Sequence, residues 1–146
     1  MLDMRKNIWD CLGLGIVAIT TNGSITKGGL AVPGRGVARQ AAELFPDLME
    51  QLGELIALKG NHVHPLSHGL VSFPVEDSAW SLPDPRLISR SAMELRQLAD
   101  RMDWQQIFVP RPGCGGGGLN WQDVRPLLVE HFDERFIVIA APEPQF

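Results

Sequence analysis

A run of glycines between a strand-like and a helix-like segment is the feature that most constrains the fold of this chain. Residues 113–118 contain five glycines and one cysteine. The apolar residues 106–109 precede this run, and residues 121–132, which have helical spacing, follow it. Glycine lets backbone N–H groups approach a ligand closely, and a helix N-terminus favours negative charge. The sequence therefore predicts a strand, a phosphate-binding loop and a helix, in that order.

A second glycine-containing loop has the same setting. It covers residues 28–36, follows the apolar residues 16–20 and precedes a helix-like segment at 36–45. Two loops of this kind would hold both sides of one diphosphate.

Size and composition favour a single domain that covers residues 1–146. A chain of 146 residues with 45% hydrophobic residues buries a real core, and no segment is apolar enough over a sufficient length to span a bilayer. The 13 basic and 17 acidic residues are evenly mixed. We therefore expect no footprint for duplex nucleic acid and no membrane partner, and we favour a monomer.

Cysteine usage favours a reducing compartment. Cys11 and Cys114 are far apart, and the N-terminus lacks the pattern of a signal peptide. We expect a cytoplasmic protein.

Apolar runs and helical periodicities alternate along the chain, which predicts an α/β fold with a largely buried sheet. One helix is predicted to begin with Asp84 as its N-cap and Pro85 in its first position, and the last helix with Asn120 as its N-cap. Pro126 predicts a kink or a tight first turn in that last helix. The predicted strands are 16–20, 62–66, 70–73, 106–109 and 136–140, with a further one at 2–8. The predicted helices are 36–45, 47–59, 84–103 and 120–132, and an extended tail is expected at 142–146.

Several functions that glycine loops serve elsewhere do not fit this chain. Residues 113–118 satisfy the spacing G-x-G-x-x-G, but only one strand and a short tail follow, so half of a dinucleotide-binding fold is missing. No Gly-Lys-Ser/Thr triplet is present for a Walker loop. A cysteine phosphatase would need an arginine six residues after Cys114, where Asn120 stands. Cys114 is therefore predicted to be a small packed residue rather than a nucleophile.

Three histidines, His62, His64 and His68, lie close together in the sequence, and the first two would share a face of a strand. Because no cysteine or carboxylate stands at an obvious ligand spacing, we expect no metal site, and no cofactor is implied. Trp121 begins the last helix and could border a ligand. Lys27 and Arg35 lie in or beside the first loop, where phosphate contact and a solvated surface position are equally compatible with the sequence.

Four motifs follow one another along the chain: residues 19–23 (ITTNG), 34–38 (GRGVA) leading to 45–47 (FPD), 72–74 (SFP), and 110–121 (PRPGCGGGGLNW). Together they resemble the macrodomain family of ADP-ribose-binding modules. The most similar branch contains terminal ADP-ribose protein glycohydrolase and the DNA ADP-ribosyl glycohydrolase antitoxins. The resemblance implies a three-layer α/β/α sandwich with a mixed central sheet, and a cleft for ADP-ribose at the strand ends.

The resemblance also implies which residues bind the ligand. Asn7 and Ile8 would flank the adenine, although the family usually has an aspartate where Asn7 stands, and Asn22 would lie near the distal ribose. The diphosphate would lie between two walls, one formed by Gly34, Arg35, Gly36 and Val37, and the other by Gly113, Cys114, Gly115, Gly116, Gly117 and Gly118.

Catalytic groups of that branch are not matched. Its glycohydrolases commonly have a lysine in a Phe-Pro-Thr-Lys pattern, whereas this chain reads Phe73-Pro74-Val75-Glu76. Some also have an aspartate in the glycine loop, where Gly117 stands. Candidates for a substitute are Glu76, Asn22 and Lys27. Two hypotheses follow: a module that binds free or macromolecule-attached ADP-ribose, and a glycohydrolase that removes ADP-ribose from protein or nucleic acid.

Overall fold

The computed structural model describes residues 1–142, so the predicted tail at 142–146 lies almost wholly outside the described residues. Five strands and four α-helices make up the described part. In chain order the elements are β1 (Leu2–Arg5), a short 3-10 helix (Ile8–Cys11), β2 (Ile16–Asn22), α1 (Val37–Leu44), α2 (Leu48–Lys59), β3 (Leu70–Glu76), α3 (Pro85–Met102), β4 (Ile107–Pro110), α4 (Trp121–Val129) and β5 (Phe136–Ala140).

The strands form one sheet in the order β1-β5-β4-β2-β3. The predicted α/β class is confirmed, but the four strand pairings are all parallel, where a mixed sheet was expected. From β2 onward, each connection between successive strands contains at least one helix that returns the chain to the same end of the sheet. Crossovers of this kind make neighbouring strands parallel.

Helices cover both faces of the sheet, as the predicted three-layer arrangement requires. Alternate residues of a strand point to opposite faces. In β4, Ile107 and Val109 pack with α3 and α4, whereas Phe108 packs in a second cluster with α1 and α2. Residues 136–139 of β5 alternate between the two clusters in the same way, and all five residues of the strand are buried.

The predicted strand at 62–66 is wrong. This segment runs beside β3 at the edge of the sheet and makes only an isolated antiparallel bridge, Pro65 with Val71. Two backbone bonds flank this bridge, from the Leu66 N–H to the Leu70 carbonyl and from the Ser72 N–H to the His64 carbonyl, but the His64 N–H turns to a side chain and does not continue the ladder. The Ser72 hydroxyl accepts from the His64 N–H and donates to the His62 carbonyl, which replaces part of the missing pairing.

Local capping chemistry explains the helix ends. The Asp84 carboxylate accepts from the Arg86 N–H at 2.9 Å, and Pro85 occupies the first position of α3, as predicted. The predicted side-chain cap of α4 is wrong, because Asn120 makes no such bond. Its carbonyl instead accepts from the N–H groups of both Asp123 and Val124, which is the tight first turn expected ahead of Pro126. Within residues 1–142, no helix has the length and apolar character needed to cross a membrane.

Candidate functional site

A cleft of about 1060 Å³ lies at the carboxyl ends of the parallel strands. Its lining follows the strand order. Asn7 comes after β1, Ala141 after β5 and the 113–117 loop after β4, while residues 34–37 come after β2 and Glu76 ends β3. Five neighbouring strands span roughly 19 Å at a spacing of about 4.8 Å. The cleft is therefore a trough for an elongated ligand, with the glycine loops near its middle.

The two glycine loops face each other across this trough. A side chain placed on Gly116 would come 3.5 Å from the Cδ atom of Arg35 in the opposite loop. One residue later the packing is much tighter, because a Cβ on Gly117 would lie 2.6 Å from Pro83 and 2.7 Å from the Gly113 carbonyl oxygen. Gly113 has a φ of 70°, which favours glycine. The loop backbone is therefore both close to the cleft and fixed by its neighbours.

Two helices begin at the cleft without a side-chain cap. Gly36 precedes α1 and Asn120 precedes α4, and neither makes a capping side-chain bond. Both residues, and the first helical residues Val37 and Trp121, line the cleft. N–H groups in the first turn of a helix have no partner inside that helix and carry partial positive charge. The cleft thus offers backbone donors from both glycine loops to an anion.

Charge is concentrated at this site. Arg5, Lys6, Arg35 and Arg111 line the cleft, and Glu76 is the one carboxylate in the lining among residues 1–142, although the chain as a whole has a net charge of −4. The Arg111 guanidinium lies 4.7 Å from the ring centre of Trp121, a cation–π contact that fixes its plane. Positive charge in a concave site raises the local concentration of anions.

Asn7 is held at the β1 end of the cleft by hydrogen bonds on both sides. Its side-chain oxygen accepts from the Trp9 N–H at 3.0 Å, and its carbonyl accepts from the Asp10 N–H. The preceding residue, Lys6, donates its N–H to Ala140 of β5. Next to it, Ile8 is buried and lines the cleft, which provides an apolar surface for a flat ring.

Glu76 ends β3 at the opposite end of the cleft. Partial burial raises the pKa of its carboxyl group, and the nearby Arg35 charge opposes that rise. A bulge lets Asn22 of β2 pair with Glu76, whereas the preceding Thr21 pairs with Pro74. Such an irregularity re-aims a side chain at the end of a strand.

The backbone around Glu76 is tied down from several directions. Four consecutive carbonyls, from Pro74 to Asp77, each accept a hydrogen bond from a different donor. The donors are, in order, the Ser91 hydroxyl, the Asp84 N–H, the Asn61 side-chain amide and the Gly23 N–H. These donors come from α3, from its N-cap and from two separate loops. The Glu76 carboxyl therefore stands on a fixed support.

The structure brings most of the predicted site residues to this cleft. Three of them lie outside its lining: Asn22, Lys27 and Gly118. The Asn22 amide donates to the Val32 carbonyl and its oxygen accepts from the Ser24 N–H, so this side chain shapes the loop after β2. Lys27 is exposed in the turn between Thr26 and Gly29. The proposed roles of these three residues stay predictions.

The histidines and Cys114 have structural partners. His62 bonds the Glu94 carboxylate at 2.7 Å, His64 is buried and bonds the Gly60 carbonyl, and His68 contacts Asp47. In the part of the chain that the structure describes, no group of three His, Cys, Asp or Glu side chains is placed to hold a metal ion. The Cys114 thiol donates to the Pro112 carbonyl, and burial raises its pKa, which disfavours the reactive thiolate.

Sequence reasoning missed residues 79–83, which follow β3 and line the cleft beyond Glu76. Trp80 and Leu82 are 86% and 82% exposed, yet both belong to the cleft lining. Arg111 was also missed, although its position between β4 and the glycine run was a usable signal. Arg5 and Lys6 fell inside the predicted strand 2–8, which ends earlier than expected, at Arg5.

Solved structures of similar shape include macrodomains. The macrodomain of Mycobacterium tuberculosis DarG has a TM-score of 0.75 at 19% identity and covers 97% of this chain and 98% of its own. The macrodomain of Thermus aquaticus DarG has a TM-score of 0.70 at 22% identity and covers 99% of both chains. Thermosipho africanus DarTG in complex with ADP-ribose has a TM-score of 0.72 at 19% identity and covers 90% of this chain and 39% of its own.

Sequence comparison gives a weaker likeness. No protein-family model matches the chain. DNA ADP-ribosyl glycohydrolases of Mycobacterium bovis and Mycobacterium tuberculosis are each 23% identical over 117 residues, which is 72% of this chain. The chain spans only about a third of the length of these relatives. The structural likeness over nearly the whole length of both DarG macrodomains shows that this chain has the macrodomain fold.

Proposed function

We propose that this protein binds ADP-ribose, free or attached to a macromolecule. The observation that carries the proposal is the cleft itself: in the part of the chain that the structure describes, four cations and one carboxylate line a trough between two glycine loops, and the net charge of the chain is −4. A diphosphate fits the middle of this trough, where backbone donors and Arg35 meet. The ADP-ribose complex of Thermosipho africanus DarTG, which has the same fold, supports the choice of ligand.

The strand order orients the proposed ligand. The adenine would lie on Ile8 beside Asn7, at the β1 and β5 end. The second ribose would then lie toward the ends of β2 and β3, where Asn22 and Glu76 stand. Cys114 would contribute its backbone to the phosphate wall rather than its thiol, which is bonded to Pro112.

Calorimetric titration with ADP-ribose, ADP, AMP and NAD tests this proposal. We expect ADP-ribose to bind with one-to-one stoichiometry and more tightly than AMP, because AMP offers one phosphate and no second ribose to the trough. Equal affinity for AMP and ADP-ribose would show that the diphosphate and the second ribose are not recognised.

An alternative function, hydrolysis of the bond between ADP-ribose and its carrier, is favoured by Glu76. Among the described residues it is the one carboxylate lining the cleft, its pKa is raised by burial, and its backbone is fixed. A carboxyl of this kind can activate a water molecule as a general base. The DNA ADP-ribosyl glycohydrolases, 23% identical to this chain, support the alternative. The lysine expected from the resemblance is replaced, however, so binding without turnover is our first proposal.

Release of ADP-ribose from modified protein and modified DNA distinguishes the two functions. Under the binding proposal, little or no release occurs although both substrates bind. Turnover at a rate typical of enzymes, lost in Glu76→Gln while affinity is kept, would establish hydrolysis with Glu76 as the base. We further propose a monomer in a reducing cytoplasm, a location supported by its two free cysteines.

A further inference from the structure

Arg111 carries a positive charge into the cleft that has no acidic partner among the described residues. It directly follows β4, lines the cleft and is half-buried. Within residues 1–142, its three guanidinium nitrogens have no hydrogen-bond or ion-pair partner. The Nε atom is buried, so water does not serve it, whereas the two terminal nitrogens stay accessible. A largely buried charge without a partner is costly, which points to an ion or a ligand as the missing partner.

Arg90 is the informative comparison, because its Nε atom is likewise buried without a hydrogen-bond partner. The rest of its guanidinium, however, donates to the Asn61 carbonyl, and its charge is paired with the Glu94 carboxylate at 3.6 Å. Arg90 thus has a structural role that needs no ligand. The guanidinium of Arg111 contacts only the Trp121 ring among the described residues, so its donors remain available to an anion.

The N-terminus of α4 lies beside this guanidinium. The helix begins at Trp121, the residue on which Arg111 stacks, and Asn120 gives it no side-chain cap. The Asn120 carbonyl accepts from the N–H groups of Asp123 and Val124, which leaves the first two N–H groups of the helix without an acceptor among the described residues. These groups carry partial positive charge. Charged and backbone donors are therefore neighbours at one point of the cleft lining.

This point is distinct from the gap between the two glycine loops. In that gap, Arg35 approaches the tip of the second loop at Gly116, whereas Arg111 stands at the base of the same loop. The helices that follow the two arginines, α1 and α4, pack on opposite faces of the sheet. The two arginines therefore enter the cleft from opposite sides. A diphosphate held beside Arg35 leaves Arg111 to a different anionic group.

We infer that Arg111 and the first turn of α4 form a second anion site in the cleft, and that this site binds a phosphate monoester or a free phosphate ion. Both carry three or four acceptor oxygens and close to two negative charges, which match a guanidinium fork beside two backbone N–H groups. The monoester would be a third phosphate group on the nucleotide that the loops hold. The site itself goes beyond the proposed function and does not depend on it.

Inorganic phosphate, titrated into the isotope-labelled protein and followed by NMR, tests the site directly. The Nε–H signal of Arg111 is assigned by its loss in Arg111→Lys. We expect this signal to shift and to saturate, because an anion at the terminal nitrogens polarises the whole guanidinium. Chloride at the same ionic strength is the control and should shift it much less. A signal that phosphate moves no more than chloride overturns the inference.

Calorimetry distinguishes the two sources of phosphate. ADP-ribose 2′-phosphate is compared with ADP-ribose, and phosphate is titrated into protein that is already saturated with ADP-ribose. If the site takes a third phosphate of the nucleotide, the phosphorylated ligand should bind about 10-fold more tightly, as one charge-assisted contact allows. If it takes a free ion, phosphate should bind to the saturated protein. The absence of both effects overturns the inference.

Arg111→Gln and Arg125→Gln are the matched variants. Arg125 is a cation of the same helix that pairs with Asp3 and lies outside the cleft lining. Arg111→Gln should abolish whichever of the two calorimetric effects the wild type shows, and Arg125→Gln should retain it. Melting temperatures verify that both variants are folded. If Arg111→Gln weakens ADP-ribose and its 2′-phosphate by the same factor, Arg111 contacts the diphosphate and the second site does not exist.

The measurements also separate this inference from the proposed function. If ADP-ribose does not bind but phosphate shifts the Arg111 signal to saturation, the proposed function fails and the second site stands. If ADP-ribose binds and phosphate leaves the signal where chloride leaves it, the proposed function stands and the inference is wrong.

Discussion

Gly116 and Gly117 are adjacent, yet a side chain would meet different surroundings at the two positions. At Gly116 the nearest atom is the flexible Arg35 side chain at 3.5 Å, an ordinary contact. At Gly117 the nearest atoms belong to Pro83 and to the loop backbone, closer than 3 Å. Gly116 therefore reports on the ligand, whereas a side chain at Gly117 would disturb the loop itself.

Gly116→Glu should abolish ADP-ribose binding without unfolding the domain. The substitution places bulk and a negative charge where backbone N–H groups face the proposed diphosphate, and we expect affinity to fall at least about 100-fold. Calorimetry measures the affinity and thermal melting the fold. Gly116→Gln, which has nearly the same shape without the charge, should retain more affinity. Wild-type affinity in Gly116→Glu would mean that this loop does not contact phosphate.

The pH dependence of binding should depend on Glu76. Burial raises its pKa, so in the folded protein the carboxyl takes up a proton at a pH where a free glutamate is still ionised. Protonation removes the one negative charge among the described residues of the cleft lining, so affinity for ADP-ribose should rise about 2- to 5-fold as the pH falls from 7.5 through the raised pKa of Glu76. The raised pKa also couples stability to pH. As the pH falls, the free energy of unfolding of the wild type should rise relative to that of Glu76→Gln, because a protonated carboxyl no longer carries the cost of burying a charge.

Glu76→Gln is the control for this dependence. Its affinity at pH 7.5 should equal or exceed that of the wild type, with little change on acidification. A slope in the variant as steep as in the wild type would assign the effect to another group.

At the scale of elements, the carboxyl end of β3 is held in place by hydrogen bonds from neighbouring elements. Ser91 of α3 is fully buried, and its hydroxyl donates to the buried Pro74 carbonyl at 2.6 Å. Pro74 itself is tolerated because β3 is an edge strand. Two residues earlier, the Ser72 N–H points outward to His64 rather than into the sheet.

Ser91→Ala should destabilise the protein by about 1–3 kcal/mol, because the Pro74 carbonyl would be left buried without its partner. Urea unfolding measures the change. Ser89→Ala, a half-buried site in the same helix, should cost much less and serves as the control. Equal effects of the two substitutions would show that the bond to Pro74 contributes no net stability.

The elements that the sequence predicted well are those with strong local signals. Residues 136–140 were predicted with the observed limits because a short, wholly apolar run is typical of a buried parallel strand. Asp84-Pro85 marked the start of α3 for an equally local reason. The strand prediction for 62–66 failed because regular pairing with β3 depends on tertiary contacts that the local sequence does not encode. The direction of each strand likewise depends on the crossover connections and not on a local pattern. The two glycine loops could be predicted from the sequence. The place of Trp80 in the cleft lining and the orientation of the Asn7 amide could not, because both depend on neighbours that only the folded chain brings together.

At the scale of the whole molecule, charge is divided between the cleft and the remaining surface. The cleft gathers four cations, while the net charge of the chain is −4. Attraction between the cleft and an anion is therefore local, and the rest of the negatively charged surface weakly repels the anion. Dissolved salt screens both the attraction and the repulsion, with a screening length of about 10 Å at 0.1 M.

Raising the salt concentration from 0.05 to 0.5 M should weaken ADP-ribose binding by about 10-fold. Arg35→Gln should lower both the affinity and this salt dependence, because Arg35 lines the cleft. Arg39→Gln is the matched control, since Arg39 is an exposed cation on α1 that pairs with Glu43 and is not part of the lining. Equal effects of the two variants on affinity would indicate that the overall charge of the molecule attracts the ligand, and not the Arg35 charge in the cleft.

The pairing of β1 with β5 also has a consequence for biosynthesis. Leu2 lies opposite Ile137, so β1 is synthesised about 135 residues before the strand that it pairs with in the described part of the sheet. At 5–20 residues per second, the delay is roughly 7 to 27 s. During that time β2 and β3 can already pair, whereas the Asn7 end of the cleft cannot exist. The nascent chain therefore acquires its two glycine loops before the Asn7 end of the cleft, and a ligand that needs the whole cleft cannot bind until β5 has paired with β1.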